Sequence, residues 1–230
     1  LWYHVGSRDE SPGRTGLAHL FEHMLFQGSA NVGVNDHFRL VQQVGGVANG
    51  STWYDRTNYY ETLPAHALEL GLWLEADRMG FLLEALTDEK LENQRSVVRN
   101  ERRQRVDNAP YGRASEALFE LLYPASAMEP LVGTNHHRDQ PAATPFDVES
   151  FFRRYPEGHP YRWPVIGTDA DIQAATRADV ESFFRRYYAP ANAVLTLAGD
   201  FDRQRALDQV NHYFGEIRGE STPPRPAAPL

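Results

Sequence analysis

Cysteine is absent from the sequence, which excludes a disulfide framework, thiol catalysis and every Cys-ligated zinc or iron–sulfur site. Any transition metal would have to be held by histidine and carboxylate. Basic residues are outnumbered, 23 Lys and Arg against 31 Asp and Glu, for a net charge of −8. That balance argues against a nucleic-acid binder, which needs a basic footprint. No apolar run approaches the ~20 residues of a membrane-spanning helix, so no membrane span is expected. These absences leave the compartment open, and bacterial periplasm and cytoplasm are both compatible with them. What is present is a chain of 230 residues, 41% hydrophobic and 23% charged, long enough to bury a core without covalent staples.

The chain opens on strand-forming residues, Leu1-Trp2-Tyr3-His4-Val5-Gly6, without an initiator Met or a signal peptide. It closes on the Pro-rich run Ser221-Thr222-Pro223-Pro224-Arg225-Pro226. Both ends read as cut edges, with 221–230 expected to be a semi-rigid linker toward a second domain. Between them, residues 1–6 read as a strand. Leu17, Leu20, Phe21, Met24 and Leu25 follow helical spacing from Thr15 to Phe26, with Gly28 as the stop. Asn35 to Val44 is expected to be helical, and Val47 to Leu63, rich in Thr, Tyr and Trp, to be one long strand or a hairpin. Pro64 opens a helix to about Gly80. Another runs from Asp88 to about Val106, with Thr87 as N-cap and acids in its first turn. Tyr111 to Leu122 reads as helix, as do Asp179 to Tyr188 and Asp202 to Phe214, with Ala193 to Gly199 as a strand. Strands separated by helices in no regular alternation predict a layered α+β domain.

One block is repeated. Asp147-Val148-Glu149-Ser150-Phe151-Phe152-Arg153-Arg154-Tyr155 recurs 32 positions later as Asp179 through Tyr187. A single duplication is too short for a solenoid. Residues 123–154 read as a tandem-duplicated insertion with no catalytic side chain.

The chemistry concentrates in His19-Leu20-Phe21-Glu22-His23. Positions i and i+4 share a helix face, so the two imidazoles can converge on one metal ion. Glu22 faces the same ion and is placed to take a proton from metal-bound water. This is the inverted order His-x-x-Glu-His. The alternative is a helix whose histidines decorate its surface, but a half-buried polar pair among Leu17, Leu20, Phe21 and Met24 needs a partner. A catalytic zinc site requires a third protein ligand. Leu91, Gln94, Val98 and Glu101 form one face of the helix begun at Thr87, which makes Glu101 a candidate, whereas Glu92 lies on another face. Spacing equally allows Glu101 to be a surface charge paired with Arg105 at i+4. His136, His137 and His159 are rivals in irregular segments.

His19-x-x-Glu22-His23, followed 78 positions later by Glu101, resembles the signature of the pitrilysin/insulinase inverzincins, which include the mitochondrial processing peptidases. The resemblance extends to Trp2 through Ser7, Gly16-Leu17-Ala18-His19, Gly45-Gly46 with Asn49 and Thr52, and Asp55 to Tyr60. Asn108 through Gly112, His159-Pro160-Tyr161, and Tyr188-Ala189-Pro190 with Asn192 continue it. It implies a mostly antiparallel sheet packed against helices, and a zinc endopeptidase domain over 1–220. One Zn2+ would be held by His19, His23 and Glu101, with Glu22 as the general base activating a zinc-bound water. The peptide substrate would add as a strand along a sheet edge near Asn49, Gly50, Ser51, Thr52 and Trp53. For most of Trp53, Tyr54, Tyr59 and Tyr60, cross-strand packing is the simpler expectation. A second homologous domain, fused or separate, would complete the active site and supply an Arg/Tyr pair that holds substrate.

Two departures stand out. Gln94 occupies a place, seven residues before the third ligand, where the family often has Glu; this removes a negative charge from behind the metal. The duplicated block lengthens the segment ahead of His159. Two other activities remain as alternatives. One is a non-catalytic scaffold subunit of the same fold that pairs with a catalytic partner, against which the intact His19, Glu22, His23 and Glu101 argue. The other is a small-molecule amidase on the same metal site.

Overall fold

A computed structural model describes residues 1–122 and 159–219. Its elements are β1 (Trp2–Tyr3), α1 (Leu17–Met24), α2 (Asp36–Gln43), β2 (Val47–Thr52), β3 (Thr57–Thr62), α3 (Leu68–Phe81), α4 (Asp88–Arg102) and α5 (Gly112–Leu122). They continue with α6 (Asp169–Ala174), α7 (Arg177–Tyr187), β4 (Ala193–Val194) and α8 (Arg203–Phe214). The strands form one sheet in the order β2-β3-β1-β4, antiparallel at every pairing. The architecture is the expected layered α+β domain, and its described sheet is wholly antiparallel. The repeat's first copy, the insertion 123–154, His136, His137 and the 221–230 tail lie outside the described residues. The second copy of the repeat falls in α7, where Val180, Phe183, Phe184 and Tyr187 are buried.

Residues Val47 to Leu63 form a hairpin, β2 and β3 pairing from Val47↔Thr62 to Thr52↔Thr57. Two strand expectations shorten. Within residues 1–6 the strand is Trp2–Tyr3, with Leu1 also exchanging both main-chain hydrogen bonds with Tyr59, and within 193–199 it is Ala193–Val194. The aromatic residues divide: Tyr54 and Tyr59 are buried, whereas Trp53 and Tyr60 are half exposed.

The inner face of the sheet, through Tyr3 and Tyr59, joins a core with Leu17, Leu20, Phe21 and Met24 of α1, Leu91 and Val98 of α4, and Phe183 and Phe184 of α7. The apolar stripe of α1 explains its position. The Phe21 ring stacks on Phe184 at 5.5 Å, which leaves the opposite side of α1 for its polar residues. The helix starts at Gly16, whose φ of +85° is left-handed and which offers no side-chain cap. The buried Glu10 carboxylate takes over that role, accepting from the backbone N–H of Gly16 and of Ala18 at 2.8 Å each. Four orphan N–H groups at a helix start need such acceptors.

Behind the core lies a buried charged cluster. The Arg78 guanidinium sits over the rings of Phe26 and Tyr59 at 5.2 and 4.2 Å and pairs with Glu75. Beside it His37 Nε2 and Glu61 Oε1 share a 2.6 Å hydrogen bond. Burial lowers the His37 imidazole to about 3 and raises the Glu61 carboxyl to about 7. Folded, the pair therefore holds one proton from about pH 7 to about pH 3. Unfolded, with ordinary values of 4.5 and 6.5, it holds one proton between those values. The pair should leave stability flat across that shared window and lower it as pH falls from 4.5 toward 3, where only the unfolded chain binds a second proton. Glu61→Gln keeps only the depressed imidazole. Its stability, relative to wild type, should fall by about 1 kcal/mol per pH unit between about pH 6 and 5. Urea unfolding measures this, and parallel pH profiles for the two proteins would refute it.

Candidate metal centre

α1 and α4 meet so that His19 and His23, one turn apart, face the last turn of α4. His23 Nε2 lies 3.2 Å from Glu101 Oε2 and His19 Nε2 lies 3.8 Å from the same oxygen. The imidazole centroids are 4.8 Å apart at 81°. One ligand atom from each of the three residues falls within 4.8 Å of the others. His136 and His137 are not described. His159 stands apart, its Nδ1 accepting from the Tyr161 N–H at 3.2 Å.

The donor set fits a zinc ion. Two imidazole nitrogens and one carboxylate oxygen are the ligand types of three-residue catalytic zinc sites that keep a position open. The protonation states fit as well. Burial, assisted by the neighbouring His23, lowers His19 to about 4 and keeps it neutral. The hydrogen bond from His23 lowers the Glu101 carboxyl and keeps it ionised. These are the forms that bind metal. His19 Nδ1 is buried without a hydrogen-bond partner among the described residues. Both readings of Glu101 hold together, because a carboxylate has two oxygens. Oε1 pairs with Arg105 at 2.7 Å, while Oε2 faces the histidines. Arg105 belongs to a π-helical turn, Arg103–Asp107, that continues α4. Gln94, buried two turns before Glu101, donates through Nε2 to Asn93 Oδ1 at 2.9 Å. Glu92 faces outward and pairs with Arg95.

These residues open on a groove of about 690 Å3. His19, Glu22, His23, Gln94 and Glu101 line it together with Asn49, Gly50, Ser51 and Thr52 of β2; Phe26, Phe38, Val106, Val165 and Ile166 supply apolar walls. Trp53 lies outside this lining, beyond the end of β2, with its ring against Tyr54 at 5.5 Å. Among the described residues β2 is a sheet edge. Trp53 N–H donates to Arg56 O, so by alternation along the register Ser51 and Asn49 also bond to β3. The main-chain groups of Gly50 and Thr52 therefore point away from β3 toward the free edge. The Gly50 N–H is meanwhile met by Asn49 Oδ1 at 2.8 Å.

Glu22 lies between the histidines and β2. Burial raises its carboxyl, and Thr52 opposes the rise by donating Oγ1–H to Glu22 Oε2 at 2.5 Å. Gly50 makes room for it, since a Cβ there would come within 3.2 Å of Glu22 Cγ and 3.3 Å of Oε1. The sequence reading places Thr52 against substrate and misses this bond to Glu22. The available signal was alternation, which puts Gly50 and Thr52 on the sheet face toward α1. Thr52→Val preserves shape and deletes the bond. Without that donor the Glu22 carboxyl should titrate higher than in the wild type, because the bond favours its ionised form. A side-chain NMR titration of the two proteins measures this, and the same Glu22 midpoint in both would show that the Thr52 bond does not act on it.

An antiparallel α+β domain with a His-x-x-Glu-His helix facing a third carboxylate defines the class, an inverzincin-type metallopeptidase domain. Residues 1–134 match the family described as Insulinase (Peptidase family M16), and residues 174–230 match Peptidase M16 inactive domain. The chain belongs to the insulinase family, Peptidase family M16. It is 30% identical over 216 residues to the Zinc protease PqqE of Helicobacter pylori, covering 94% of this chain and 41% of that protein. An uncharacterized zinc protease of Mycobacterium leprae is 32% identical over 98% of this chain and 43% of its own length. Among solved structures, a protease from Helicobacter pylori superposes with a TM-score of 0.77 at 30% identity, over 100% of this chain and 46% of that one. The first half of the periplasmic protease PqqL from Escherichia coli shares the fold, with a TM-score of 0.72 at 18% identity over 99% of this chain and 42% of that one. The chain thus spans less than half the length of these relatives. Among the described residues no helix is long and apolar enough to cross a membrane.

Proposed function

We propose that the chain is the metal-binding half of a zinc endopeptidase acting on peptides or small unfolded proteins, completed by a second homologous domain. The observation that carries this reading is the convergence of His19, His23 and Glu101 beside Glu22, in a groove bordered by the free edge of β2. His19, His23 and Glu101 would hold the ion. Zinc bound there would supply Lewis acidity toward a peptide carbonyl and make a water more acidic. Glu22 takes the proton of the attacking water and returns it to the departing amine. Because Thr52 occupies Oε2, Oε1 is the atom that holds the proton in transit. A substrate strand pairs with the main-chain groups of Gly50 and Thr52, displacing the Asn49 side chain from the Gly50 N–H. Such backbone pairing selects extended chain over any particular side chain. The relatives support a two-domain enzyme, since each is more than twice the length of the part matched here.

The match of residues 174–230 to the inactive-domain description favours a second reading, a non-catalytic subunit that pairs with a catalytic one. The complete protein, assayed on a series of unstructured peptides of increasing length, separates the possibilities. Chelator-sensitive cleavage that rises over several residues supports the endopeptidase. Equal cleavage of a single-amide substrate points to an amidase, and no cleavage with stoichiometric zinc points to the scaffold.

A further inference from the structure

α4 carries Arg95, Arg99 and Arg102 at spacings of four and three, along one side of the helix. All three bind the same neighbour, the segment from Gly167 to Ala175 that contains α6. Arg95 Nη1 donates to the carbonyls of Gln173 and Ala175, each at 2.9 Å. Arg99 grips Asp169 with both ends of its fork, Nε to Oδ1 at 2.7 Å and Nη2 to Oδ2 at 2.9 Å. Arg102 Nη1 donates to the Gly167 carbonyl at 2.7 Å. The other side of this segment holds the start of α1. Asp171 Oδ2 accepts from Thr15 Oγ1 at 2.5 Å and from the Thr15 N–H at 3.1 Å. The Thr168 N–H donates back to Thr15 Oγ1 at 3.1 Å. Gly167 and Gly16 meet backbone to backbone, since a Cβ on Gly167 would lie 2.5 Å from the Gly16 Cα.

The segment therefore touches both helices that bring the candidate ligands together. Apolar packing between α1 and α4 draws them close but has no directional preference. Hydrogen bonds and the two-pronged Arg99–Asp169 pair are directional, and fix how far one helix slides along the other. A metal centre needs its ligands within about 0.5 Å of their places. We propose that Gly167–Ala175 is a strut setting the register of the His19/His23 helix against the Glu101 helix, with Arg99, Asp169, Asp171 and Thr15 as positioning residues for the metal centre. The inference rests on the zinc reading above.

The test uses Arg99→Gln, Asp169→Asn and the reversed pair Arg99→Asp with Asp169→Arg. Both single changes affect a partly exposed ion pair and should leave the chain folded. Zinc affinity is read by competition with a chromophoric chelator, geometry by the visible spectrum of the Co2+-loaded protein, and stability by thermal unfolding. Charge alone predicts opposite effects, because losing a cation near the site favours zinc and losing an anion disfavours it. The strut predicts the same direction for both, about tenfold weaker zinc binding with altered Co2+ bands, and recovery in the reversed pair. Opposite shifts, or unchanged affinity and spectrum in both single variants, would overturn the strut while leaving the metal centre standing. A wild-type chain that takes up no zinc would instead overturn the metal centre, and the strut with it.

Discussion

Replacing Glu101 with alanine is expected to strip the chain of zinc without unfolding it. Structural zinc sites bind with about 10–16 kcal/mol, roughly 2.5–4 kcal/mol per ligand over four ligands, so losing one should weaken binding about a hundred- to a thousand-fold. The fold should tolerate the change. Glu101 is partly exposed, and among the described residues its one ion pair besides the histidines is with Arg105, itself mostly in solvent, a contact that contributes little. His19→Ala should weaken zinc to a similar degree. Chelator competition together with mass spectrometry of the purified chain gives the answer. Stoichiometric zinc retained in both variants would rule out this ligand set.

Glu22→Gln should behave in the opposite way, keeping the metal and losing the chemistry. The amide retains a carbonyl that can accept from Thr52, so the side chain stays in place, but it cannot take up a proton at neutral pH. On the endopeptidase reading proposed above, removing a general base costs about 10²–10⁴ in rate, so hydrolysis by the chain together with its second domain should fall within that range while any bound zinc is retained. A variant as active as wild type would return Glu22 to a structural role and favour the scaffold reading. Because the two substitutions separate metal from rate, together they distinguish a ligand from a base.

Much of this centre was legible because helix geometry is local. Residues four apart on one helix must share a face, so His19 and His23 could be paired from the sequence, and the stripe Leu91, Gln94, Val98, Glu101 could be aimed at the core. Whether Glu101 met the histidines or Arg105 was undecidable from spacing, and in the structure it meets both. The insulinase-family resemblance was carried by landmarks spread over the whole chain, and the family match bears it out. What could not be read was non-local. The 193–199 segment has strand composition, yet its described pairing covers only Ala193 and Val194. The bond from Thr52 to Glu22 joins residues 30 apart in sequence, and no periodicity announces it. α6 carries only end signals, Thr168 capping it by accepting from the Asp171 N–H and acids filling its first turn. At six residues it is too short for a periodic signal to stand out.

Among the described residues the outer edge of β2 is unpaired, and Asn49 to Thr52 along it border the groove. Exposed strand edges invite pairing with any other sheet, including a neighbour's, and most proteins guard them with charge, proline or a covering element. The edge here carries Asn49, Gly50, Ser51 and Thr52, none of them such a guard. Among the described residues this edge is therefore where the folded chain is most open to strand addition, by a second copy of itself as much as by any other extended backbone.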